Sequence, residues 1–429
     1  MLTYEENELL TRVGRGTPMG EFFRRYWIPA LLTEEIPAPD SPPVRVRLLG
    51  EDLLAFRDSA GKIGLVSERC AHRGASLFYG RNEECGLRCI YHGWKYDTQG
   101  NILETPPEPE NSMIRYHVKL PAYPTHEVNG VIMTYMGPSE KMPLVPNFEW
   151  TTLPAEHVTL SKLINECNWL QSVEGDSDSS HVEFLHLHTG TSRTMGDTFE
   201  LIPGFGGNLG WETELGPWHV TVAAHRFVAE DQKYVRTNTF IPPCVALPPV
   251  GRTLNGLIDG LAFKYQVPVD DYTTARFDIW TSRSAPWRGG HARRNREDSG
   301  PDFRKYWNRS NDYMIDREKQ RTKVYSGIDG STHIQDACVT ETMGPINDRT
   351  LEHLGASDTQ IALMRKFLLK AVREFQEGKE PPGLAFDAAS NTFGNLYTVD
   401  ALLPLDVPWN DREQVMAHAV EPSPYGQSF

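Results

Sequence analysis

Two short segments of the chain each combine one cysteine with one histidine. Cys70 and His72 are separated by one residue, Cys89 and His92 by two, and 16 residues lie between His72 and Cys89. Two loops that present one thiolate and one imidazole each can hold a two-iron cluster, with both sulfurs on one iron and both imidazoles on the other. The pattern therefore predicts a histidine-ligated [2Fe-2S] site, whose reduction potential lies above that of an all-cysteine cluster.

Zinc is the alternative metal for two cysteines and two histidines. Structural zinc sites usually pair Cys with Cys and His with His, whereas each segment here mixes the two types. The spacing therefore favours the iron–sulfur interpretation. Cys85 lies between the segments but outside the pattern, and we expect it to be a small buried side chain.

A second group of possible metal ligands lies in CNWLQSVEGDSDSSHVEFLHLH, residues 167–188. Two histidines and one carboxylate leave coordination positions open for O2 on a non-haem ferrous ion, and His181 and His186 are the candidate histidines. We expect His188 to be hydrogen-bonded or exposed instead. The candidates for the carboxylate are Glu174, Asp176, Asp178, Glu183 and the distant Asp336.

Length and composition exclude several classes of protein. The 429 residues suit one large domain or two, and the net charge of −14 argues against a nucleic-acid partner. Six cysteines are too few for a disulfide scaffold, and no apolar run approaches the roughly 18 residues of a membrane span. The acidic opening MLTYEENELL lacks the features of a signal peptide. We therefore expect a cytoplasmic protein with no membrane partner.

The pattern of apolar residues predicts two domains, 1–150 and 151–429. Residues 4–30 have helix-like spacings, and the runs VRVRLLG, LLAFRD, IGLVSE and VIMTYMG then indicate antiparallel strands. Four similar runs between residues 218 and 280 indicate a second sheet. The Arg-rich stretch 288–312 is predicted to be an exposed excursion.

One amphipathic helix is predicted over residues 357–377. Its apolar residues recur at spacings of three and four, a capping box is formed by Ser357 and Gln360, and Gly378 is placed to end it. The residues of the apolar face are Ile361, Met364, Leu368, Val372 and Phe375. We expect this helix to serve packing alone.

The chain resembles a known family over most of its length. CAHRGASLFYGRNEECGLRCIYHGWKYD is similar to the cluster-binding loops of Rieske proteins, and in particular of the Rieske non-haem iron oxygenases. The N-terminal segment, residues 167–188 and IQDACVTETMGPINDRTLEHLG resemble the phthalate dioxygenase-like group. The resemblance implies an α+β fold: an N-terminal arm and Rieske antiparallel β domain with [2Fe-2S] loops, then a helix-grip-like catalytic domain with an antiparallel sheet.

The resemblance also selects the carboxylate of the second site. It implies that Asp336, which follows Gln335, completes a mononuclear iron site with His181 and His186. Asp348 in the same segment is the fallback.

Asp178 and Asn168 take other roles by the same resemblance. It implies that Asp178 bridges two subunits, accepting a hydrogen bond from the cluster histidine His92 of one and contacting the iron histidine His181 of the next. Such a carboxylate fixes both imidazoles and offers a short route for electrons. Asn168, in the Asn-Trp opening of the segment, is expected near the iron, or else as a helix-start or core amide.

The implied function is that of a terminal oxygenase component. It would use O2, the cluster and Fe(II) to hydroxylate an aromatic compound, with electrons from a separate flavin and iron–sulfur reductase fed by NAD(P)H. The chain itself carries no G-x-G-x-x-G dinucleotide motif in a strand-to-helix context. The family implies a homotrimer or a hexamer of stacked trimers.

Three alternatives concern the reaction and the class of protein. Ring dihydroxylation of an aromatic carboxylate is expected, with oxidative O-demethylation of a methoxylated lignin-derived acid as the alternative. A Rieske electron-transfer protein without oxygenase activity is the different-class alternative, although a carrier would not need the more than 270 residues that follow the first domain. A zinc-stabilised binding protein is the third.

An anionic substrate would need a cationic side chain in the pocket, since a guanidinium matches a carboxylate in two hydrogen bonds. Arg226 and Arg236 lie on predicted strands among apolar residues, so each could face the pocket or the solvent.

Overall fold

The computed structural model describes residues 1–186, 209–250, 253–287 and 290–419. The chain forms two compact units. The first unit comprises Val13–Val145 and Pro268–Asp270, and the second comprises Met1–Arg12, Pro146–Val267 and Asp271–Phe429. The domain division 1–150 and 151–429 stays a prediction.

Short antiparallel strands make up most of the first unit. Its strands are β1 Trp27–Leu32, β2 Val44–Leu48, β3 Glu51–Arg57, β4 Ile63–Ser67, β5 Arg81–Glu83, β6 Gly86–Arg88, β7 Lys95–Tyr96, β8 Ile102–Glu104, β9 Ala122–Tyr123, β10 Thr125–Val128 and β11 Val131–Tyr135. Among the described residues they form three sheets, in the orders β1-β11-β10, β2-β3-β4-β9 and β5-β6-β7-β8. All four strand runs predicted for this part of the chain are confirmed.

The predicted helical stretch 4–30 is only partly helical. Helix α1 covers Tyr4–Thr11 and helix α2 covers Pro18–Phe23, but β1 begins at Trp27. Gly16 between the helices has a φ of +83°, which a helix does not permit. From Trp27 onward the chain pairs with β11, Trp27 opposite Tyr135, so tertiary pairing overrides the helix-like spacing of the aromatic residues.

Helix α1 belongs to the second unit rather than to the β unit that follows it. Asn7 Nδ2 donates to the Asn347 carbonyl at 3.0 Å, and Trp169 Nε1 donates to the Leu10 carbonyl at 3.1 Å. These long-range bonds tie the first twelve residues to segments some 160 and 340 residues away.

An antiparallel sheet dominates the second unit. Within the described ranges it has eight strands in the order β12-β20-β19-β16-β15-β14-β13, with β21 also paired to β15. These strands are β12 Val158–Asn165, β13 Leu209–Leu215, β14 Val220–Phe227, β15 Gln232–Ile241, β16 Val245–Leu247, β19 Ala262–Asp270, β20 Thr273–Thr281 and β21 Asp400–Pro404, and β17 Thr253–Leu254 and β18 Leu257–Ile258 form a separate ribbon. The four predicted strand runs of this region are confirmed.

Helices and 3-10 turns complete the chain. The remaining helices are α3 Ile114–His117, α4 Glu149–Thr152, α5 Trp169–Ser177, α6 Val182–Leu185, α7 His291–Glu297, α8 Arg317–Thr322, α9 Thr332–Thr342, α10 Thr359–Gln376 and α11 Arg412–His418. The 3-10 turns are Thr33–Glu35, Leu77–Tyr79, Ser139–Lys141, Ala155–His157, Arg309–Met314, Ala356–Asp358 and Phe393–Asn395. None of the described helices has the length and apolar character to cross a membrane.

The amphipathic helix is confirmed as α10, although its predicted cap is wrong. Ser357 lies in the preceding 3-10 turn, and the residue at the N-cap is Asp358, without a side-chain cap bond. Gly378, at a φ of +91°, follows the helix as expected.

The Arg-rich stretch is not an exposed excursion over its described part. It contains helix α7, and Asn295 on this helix is buried and donates to Ser161 Oγ and Asp278 Oδ2, both at 3.1 Å. Arg293, Arg294 and Arg296 are exposed on a helix that packs on β12, and Arg304 and Arg309 are exposed beyond it, which is why the composition of the segment resembles that of a loop.

A buried ion pair anchors helix α9 to the sheet. Lys305 Nζ lies 2.7 Å from Glu341 Oε1, with side chains 2% and 0% exposed. The same ammonium donates to Asn165 Oδ1 at the end of β12, and the Glu166 backbone N–H donates to Glu341 at 2.9 Å. Glu341 thus joins the C-terminal part of α9 to the edge of the sheet.

Breaking this pair should be costly. Lys305→Met leaves the Glu341 charge buried without its cation, and we expect a loss of about 3–5 kcal/mol in the free energy of unfolding. Chemical denaturation measures the change. Lys379→Met is the matched control, because its pair with Glu374 is exposed and should contribute at most about 1 kcal/mol. Equal effects of the two substitutions would contradict an anchoring role for Lys305.

Candidate active site

The two Cys-His segments form loops of the same construction in the first unit. The backbone N–H of Gly74 donates to the Cys70 carbonyl at 2.8 Å, and that of Gly93 donates to the Cys89 carbonyl at 3.0 Å. Both glycines have positive φ, +75° and +73°, a conformation in which other residues are strained. Each loop therefore closes on the fourth residue after its cysteine.

The side chains of these loops come together in pairs, cysteine with cysteine and histidine with histidine. Cys70 and Cys89 are both 3% exposed and form no disulfide, and the rings of His72 and His92 are 4.6 Å apart. Burial and the neighbouring Cys70 raise the pKa of the Cys89 thiol. A buried thiol with a raised pKa keeps its proton unless a metal ion stabilises the thiolate. Two buried cysteines and two neighbouring imidazoles fit an iron–sulfur cluster.

Two aromatic side chains complete the surroundings of this group. The indole of Trp94 stacks on His72 with ring centroids 4.5 Å apart and 5° between the planes. The Tyr96 hydroxyl lies 3.0 Å from Cys70 Sγ, within hydrogen-bond distance. Cys85, predicted to be buried, is exposed instead, because it occupies the tight turn between β5 and β6 with a φ of +57°.

His181, His186 and Asp336 come together in the second unit. One ligand atom from each lies within 4.8 Å of the others, and Asp336 Oδ1 is 3.5 Å from His181 Nε2 and 3.1 Å from His186 Nε2. The single turn α6 places the two histidines at its ends, so the irregular backbone brings together two rings that a longer helix would separate. Asp336 comes from α9, some 150 residues later.

The three candidate ligands and Asp178 shift one another's pKa values. Burial would raise the pKa of Asp336, but the neighbouring His186 and His181 hold it well below its usual range. Burial alone would lower the pKa of His181, but the carboxylates of Asp178 and Asp336 raise it to about 10. A divalent cation would replace these protons, which is the behaviour of a metal site.

Gln335 fixes the orientation of His186. Its Nε2 donates to the Ile328 carbonyl at 2.8 Å, so its Oε1 faces His186 Nδ1 at 2.6 Å. Nδ1 must then carry the hydrogen, which leaves the Nε2 lone pair directed toward Asp336 and the position of a metal.

Asp178 contacts the outer nitrogen of His181 within one chain. Its Oδ2 lies 3.4 Å from His181 Nδ1, and its Oδ1 accepts a hydrogen bond from the Ser180 backbone N–H. This is the support expected for a carboxylate that orients a ligand histidine, and Asp178 is not itself one of the three converging ligands.

The other candidate carboxylates are engaged elsewhere. Glu174 forms ion pairs with Arg349 and Arg365, and Asp176 pairs with Arg276 at 3.0 Å. Asp348, the fallback ligand, is exposed and bonded to Thr350. The side chain of Glu183 and all of His188 lie outside the described residues.

Asn168 is not near the histidines. It is the buried N-cap of α5, where its Oδ1 accepts from the Leu170 N–H and its Nδ2 donates to the carbonyls of Thr11 and Asp271. The capping alternative therefore describes this residue, since all of its hydrogen-bonding capacity is used in fixing the start of the helix.

A cationic cavity lies on one side of the three ligands. It measures about 60 Å³ and is lined by Arg236, Lys264 and Arg276 together with Ser179, Asn238, Trp280 and His333. Arg226 is absent from the lining: it is buried with its guanidinium 6.0 Å from the Tyr234 ring, and burial lowers its pKa to about 10. Of the two predicted arginines, only Arg236 lines the cavity. Arg226 is paired with Tyr234, two residues from Arg236 on β15, so both arginines lie on one face of the sheet and their positions along the strands separate them.

A larger cavity of about 530 Å³ lies on the other side. Asp178, His181 and Asp336 line it too, together with the apolar side chains Phe184, Leu185, Tyr325, Val339 and Met343. Its other charged residues are Glu174, Glu352, Asp358 and Arg365, so the carboxylates outnumber the cations.

Comparison with known proteins shows the family of the chain. The Rieske [2Fe-2S] domain family matches residues 26–124, and the family described as LigXa C-terminal domain like matches residues 134–424. The chain is 37% identical over 427 residues to the phthalate 4,5-dioxygenase oxygenase subunit of Pseudomonas putida, covering 96% of this chain and 94% of that protein. This chain belongs to the Rieske oxygenases.

Further comparisons are consistent with that assignment. The oxygenase is 38% identical over 409 residues to the 3-chlorobenzoate-3,4-dioxygenase oxygenase subunit of Comamonas testosteroni, covering 90% and 92% of the two chains. Its fold is similar to that of the fluorene-bound oxygenase and ferredoxin complex of carbazole 1,9a-dioxygenase, with a TM-score of 0.58 at 20% identity over 86% and 96% of the chains. The expected family and α+β fold are confirmed, and the oxygenase is an O2-using oxidoreductase with a Rieske [2Fe-2S] domain.

Sequence reasoning missed several residues of the oxygenase's two sites. Lys264 and Arg276 line the cationic cavity from β19 and β20, and His333 does so from the first turn of α9. The sequence could have pointed to His333 through its position three residues before Asp336, because this spacing places both residues on one side of a helix.

Tyr96 should tune the reduction potential of the cluster. Tyr96→Phe removes a hydrogen bond to Cys70 Sγ, and hydrogen bonds to cluster sulfurs stabilise the reduced form. A difference of about 1 kcal/mol corresponds to a fall of about 40 mV, measurable by spectroscopic redox titration. Tyr123→Phe is the control, since this half-buried hydroxyl donates to Glu51 and not to a cysteine. An unchanged potential in Tyr96→Phe would contradict the assignment.

Proposed function

We propose that this oxygenase holds a ferrous ion with His181, His186 and Asp336 and hydroxylates an aromatic carboxylate, by ring dihydroxylation, in the cationic cavity. The observation that carries the proposal is the convergence of two imidazoles and one carboxylate at the wall of a cavity that also contains three cationic side chains. When bound, the ferrous ion would bind and activate O2, and the cluster at Cys70, His72, Cys89 and His92 would supply the electrons.

The charges of the cationic cavity favour an anionic substrate. Its described lining carries the carboxylates of Asp176, Asp178, Asp278 and Asp336 and the cations Arg236, Lys264 and Arg276. A ferrous ion would make this set net positive by one charge. Without the ion the same set is net negative by one charge, so the preference depends on the bound iron. The lining of the larger cavity is net negative even when the ferrous ion is counted, so it would repel a carboxylate.

The chain's own groups would orient the substrate before reaction. Arg236 presents a guanidinium suited to bidentate contact with a carboxylate, and Ser179 and Asn238, which are hydrogen-bonded to each other at 3.0 Å, supply further polar atoms. About 150 Å³ is needed for a benzene-sized ring, so binding must widen the 60 Å³ cavity. Two further observations support this substrate class: the names of the relatives include phthalate and 3-chlorobenzoate, both aromatic carboxylates. They do not favour O-demethylation.

The ligand set can be tested by metal content. Asp336→Ala should lose the mononuclear iron while the cluster absorbance remains, because only one site loses a ligand. Iron and acid-labile sulfide analysis should fall from about three irons per two sulfides to about two. Asp348→Ala, an exposed residue of the same segment, should retain all the iron. Loss of iron in the control but not in Asp336→Ala would move the assignment to Asp348.

The substrate class can be tested with the reconstituted system. The wild-type oxygenase, a reductase and NADH should convert phthalate or a chlorobenzoate to a diol that carries ¹⁸O from ¹⁸O2. Arg236→Met should raise KM for the carboxylate roughly 10- to 100-fold, as loss of a charge-assisted hydrogen bond predicts. Arg226→Met, a buried arginine outside the cavity, should leave KM near the wild-type value. Turnover of neutral aromatics alone would contradict the proposal.

Electrons must come from a separate protein, and we propose a flavin and iron–sulfur reductase, directly or through a ferredoxin. The chain has no dinucleotide-binding motif in a strand-to-helix context. The oxygenase of carbazole 1,9a-dioxygenase, which is similar in fold, forms a complex with a ferredoxin. Both observations support an external one-electron donor.

A homotrimer, or a hexamer of stacked trimers, is proposed as the working assembly. The cluster loops of one copy expose Tyr79, Ile90 and Tyr91, with Arg73 beside Tyr91. The larger cavity of another copy offers apolar walls and excess negative charge next to Asp178. These surfaces are complementary in polarity and charge, which supports a contact between His92 of one copy and Asp178 of the next.

Asp178 should matter for electron transfer rather than for metal binding. Asp178→Asn keeps the shape of the side chain but removes the charge that would bridge two imidazoles. We expect full metal content and a rate of iron-site reduction at least tenfold lower in single-turnover measurements. Asp348→Asn serves as the control for loss of one acidic charge. An unchanged rate would rule out the bridging role.

A further inference from the structure

His333 is a buried histidine at the wall of the cationic cavity. It is the second residue of helix α9, three residues before Asp336, and is 3% exposed. Neither Nδ1 nor Nε2 has a hydrogen-bond partner among the described residues. Buried polar side-chain atoms are nearly always paired, so an imidazole with both nitrogens unpaired requires an explanation.

His186 and His157, which lie in the same unit, do not share this property. His186 Nδ1 is bonded to Gln335, and His157 Nδ1 lies 2.7 Å from the Ser282 carbonyl. His333 is also not part of the converging metal-ligand group, which comprises His181, His186 and Asp336 in the described chain. The imidazole nitrogens of His333 therefore make no hydrogen bond to the described residues and do not belong to the proposed iron ligands.

The surroundings keep the imidazole neutral. Burial, together with the cations Arg276, Lys305 and Lys264, lowers the pKa of His333 well below its usual value, against the opposing effect of Asp336. A neutral imidazole offers one N–H donor and one nitrogen acceptor. It therefore suits an uncharged oxygen better than a second carboxylate, whose charge the neighbouring arginine and lysine groups satisfy more strongly.

Other polar atoms in the same cavity lack partners as well. Asn238 Oδ1 and Arg276 Nη2 are buried without a hydrogen bond among the described residues, and both residues line the cavity with His333. A donor, an acceptor and a group that is both thus converge on one space. This arrangement is typical of a binding site whose polar atoms are paired by the ligand.

We propose that His333 binds substrate by hydrogen-bonding an uncharged oxygen substituent, such as a hydroxyl or methoxyl group, on the ring of an aromatic carboxylate. The inference rests on the proposed function, since it assumes that the cavity takes this class of substrate. With the carboxylate on the cationic side chains and a ring oxygen on His333, the ring is held at two points. Two fixed points decide which ring carbons face the ligands His181, His186 and Asp336, so His333 determines the position of hydroxylation.

Matched ligands isolate this hydrogen bond. Isothermal titration of the iron-loaded oxygenase with 3-hydroxybenzoate and 3-chlorobenzoate compares two ring substituents of similar size, of which only the hydroxyl is a strong hydrogen-bonding partner. The same pair is measured with the ortho and para isomers, and the isomer that binds with the largest hydroxyl preference is taken forward. Product analysis by mass spectrometry and NMR reports the position of hydroxylation.

Substitution of His333 should abolish the preference. His333→Phe should weaken binding of the hydroxybenzoate about tenfold and leave the chlorobenzoate within about twofold, as loss of a single hydrogen bond predicts. It should also yield a mixture of hydroxylation positions. His333→Asn retains a donor and an acceptor and should restore part of the preference for the hydroxybenzoate. His333→Leu, like His333→Phe, removes both hydrogen-bonding groups, but with a smaller side chain, and should also lose the preference.

A buried histidine outside the cavity is the matched control. His225, 2% exposed on β14, is absent from the cavity lining, and His225→Phe should leave the hydroxyl preference and the product unchanged. Equal weakening of both ligands by every His333 variant, with an unaltered product, would overturn the inference and leave the proposed function standing. Failure of the wild-type oxygenase to bind or convert any of the benzoates would overturn the proposed function, and the inference with it.

Discussion

The buried ion pair between Lys305 and Glu341 governs where helix α9 lies, and the second site depends on that helix. One face of α9 carries His333 and Asp336, and Gln335 beside them orients His186. Because a helix is rigid over three turns, its anchoring at Glu341 fixes the other end of the same element. His181 and His186 can share a metal ion with Asp336 only if α9 places Asp336 opposite them. An ion pair that contains none of the three ligands therefore sets the geometry of the site.

The same ligands separate two cavities of opposite character. Asp178, His181 and Asp336 border both, with cationic side chains on one side and apolar and acidic side chains on the other. Under the proposed function, this division would let one set of residues serve two different partners. With a ferrous ion bound, the first side would favour a small anion, whereas the second would favour a protein surface with apolar and basic groups. The charges of the two cavities therefore distinguish the two sides of the site, which the three ligands by themselves do not.

Local patterns predicted the parts of the chain that local physics controls. The strand runs were correct because alternation records which side of a sheet is buried, and the Cys-His spacings were informative because a short loop limits where its side chains can point. His181 and His186 were found in the same way. Asp336 required the family resemblance, since nothing in the sequence near His186 indicates which of several carboxylates folds against it.

The predictions that were wrong also have physical explanations. Asn168 was placed near the iron, but its amide caps a helix, and sequence does not distinguish those uses of an asparagine. Arg226 and Arg236 look alike in sequence and lie on the same face of the sheet, and only their positions along the paired strands decide which of them lines the cavity. Cys85 was expected to be buried, but a turn with positive φ exposes it. The sequence therefore indicates local secondary structure well, but it does not show where a side chain points in the folded protein.

The two cluster loops have a consequence for how tightly a cluster can be held. Gly74 and Gly93 close their loops with backbone hydrogen bonds to the carbonyls of the two cysteines, so these bonds position both cysteines without using a ligand atom. A ligand that its own loop holds in place costs less binding free energy to order. A substitution at either glycine would therefore weaken the retention of the cluster even though no ligand atom is changed.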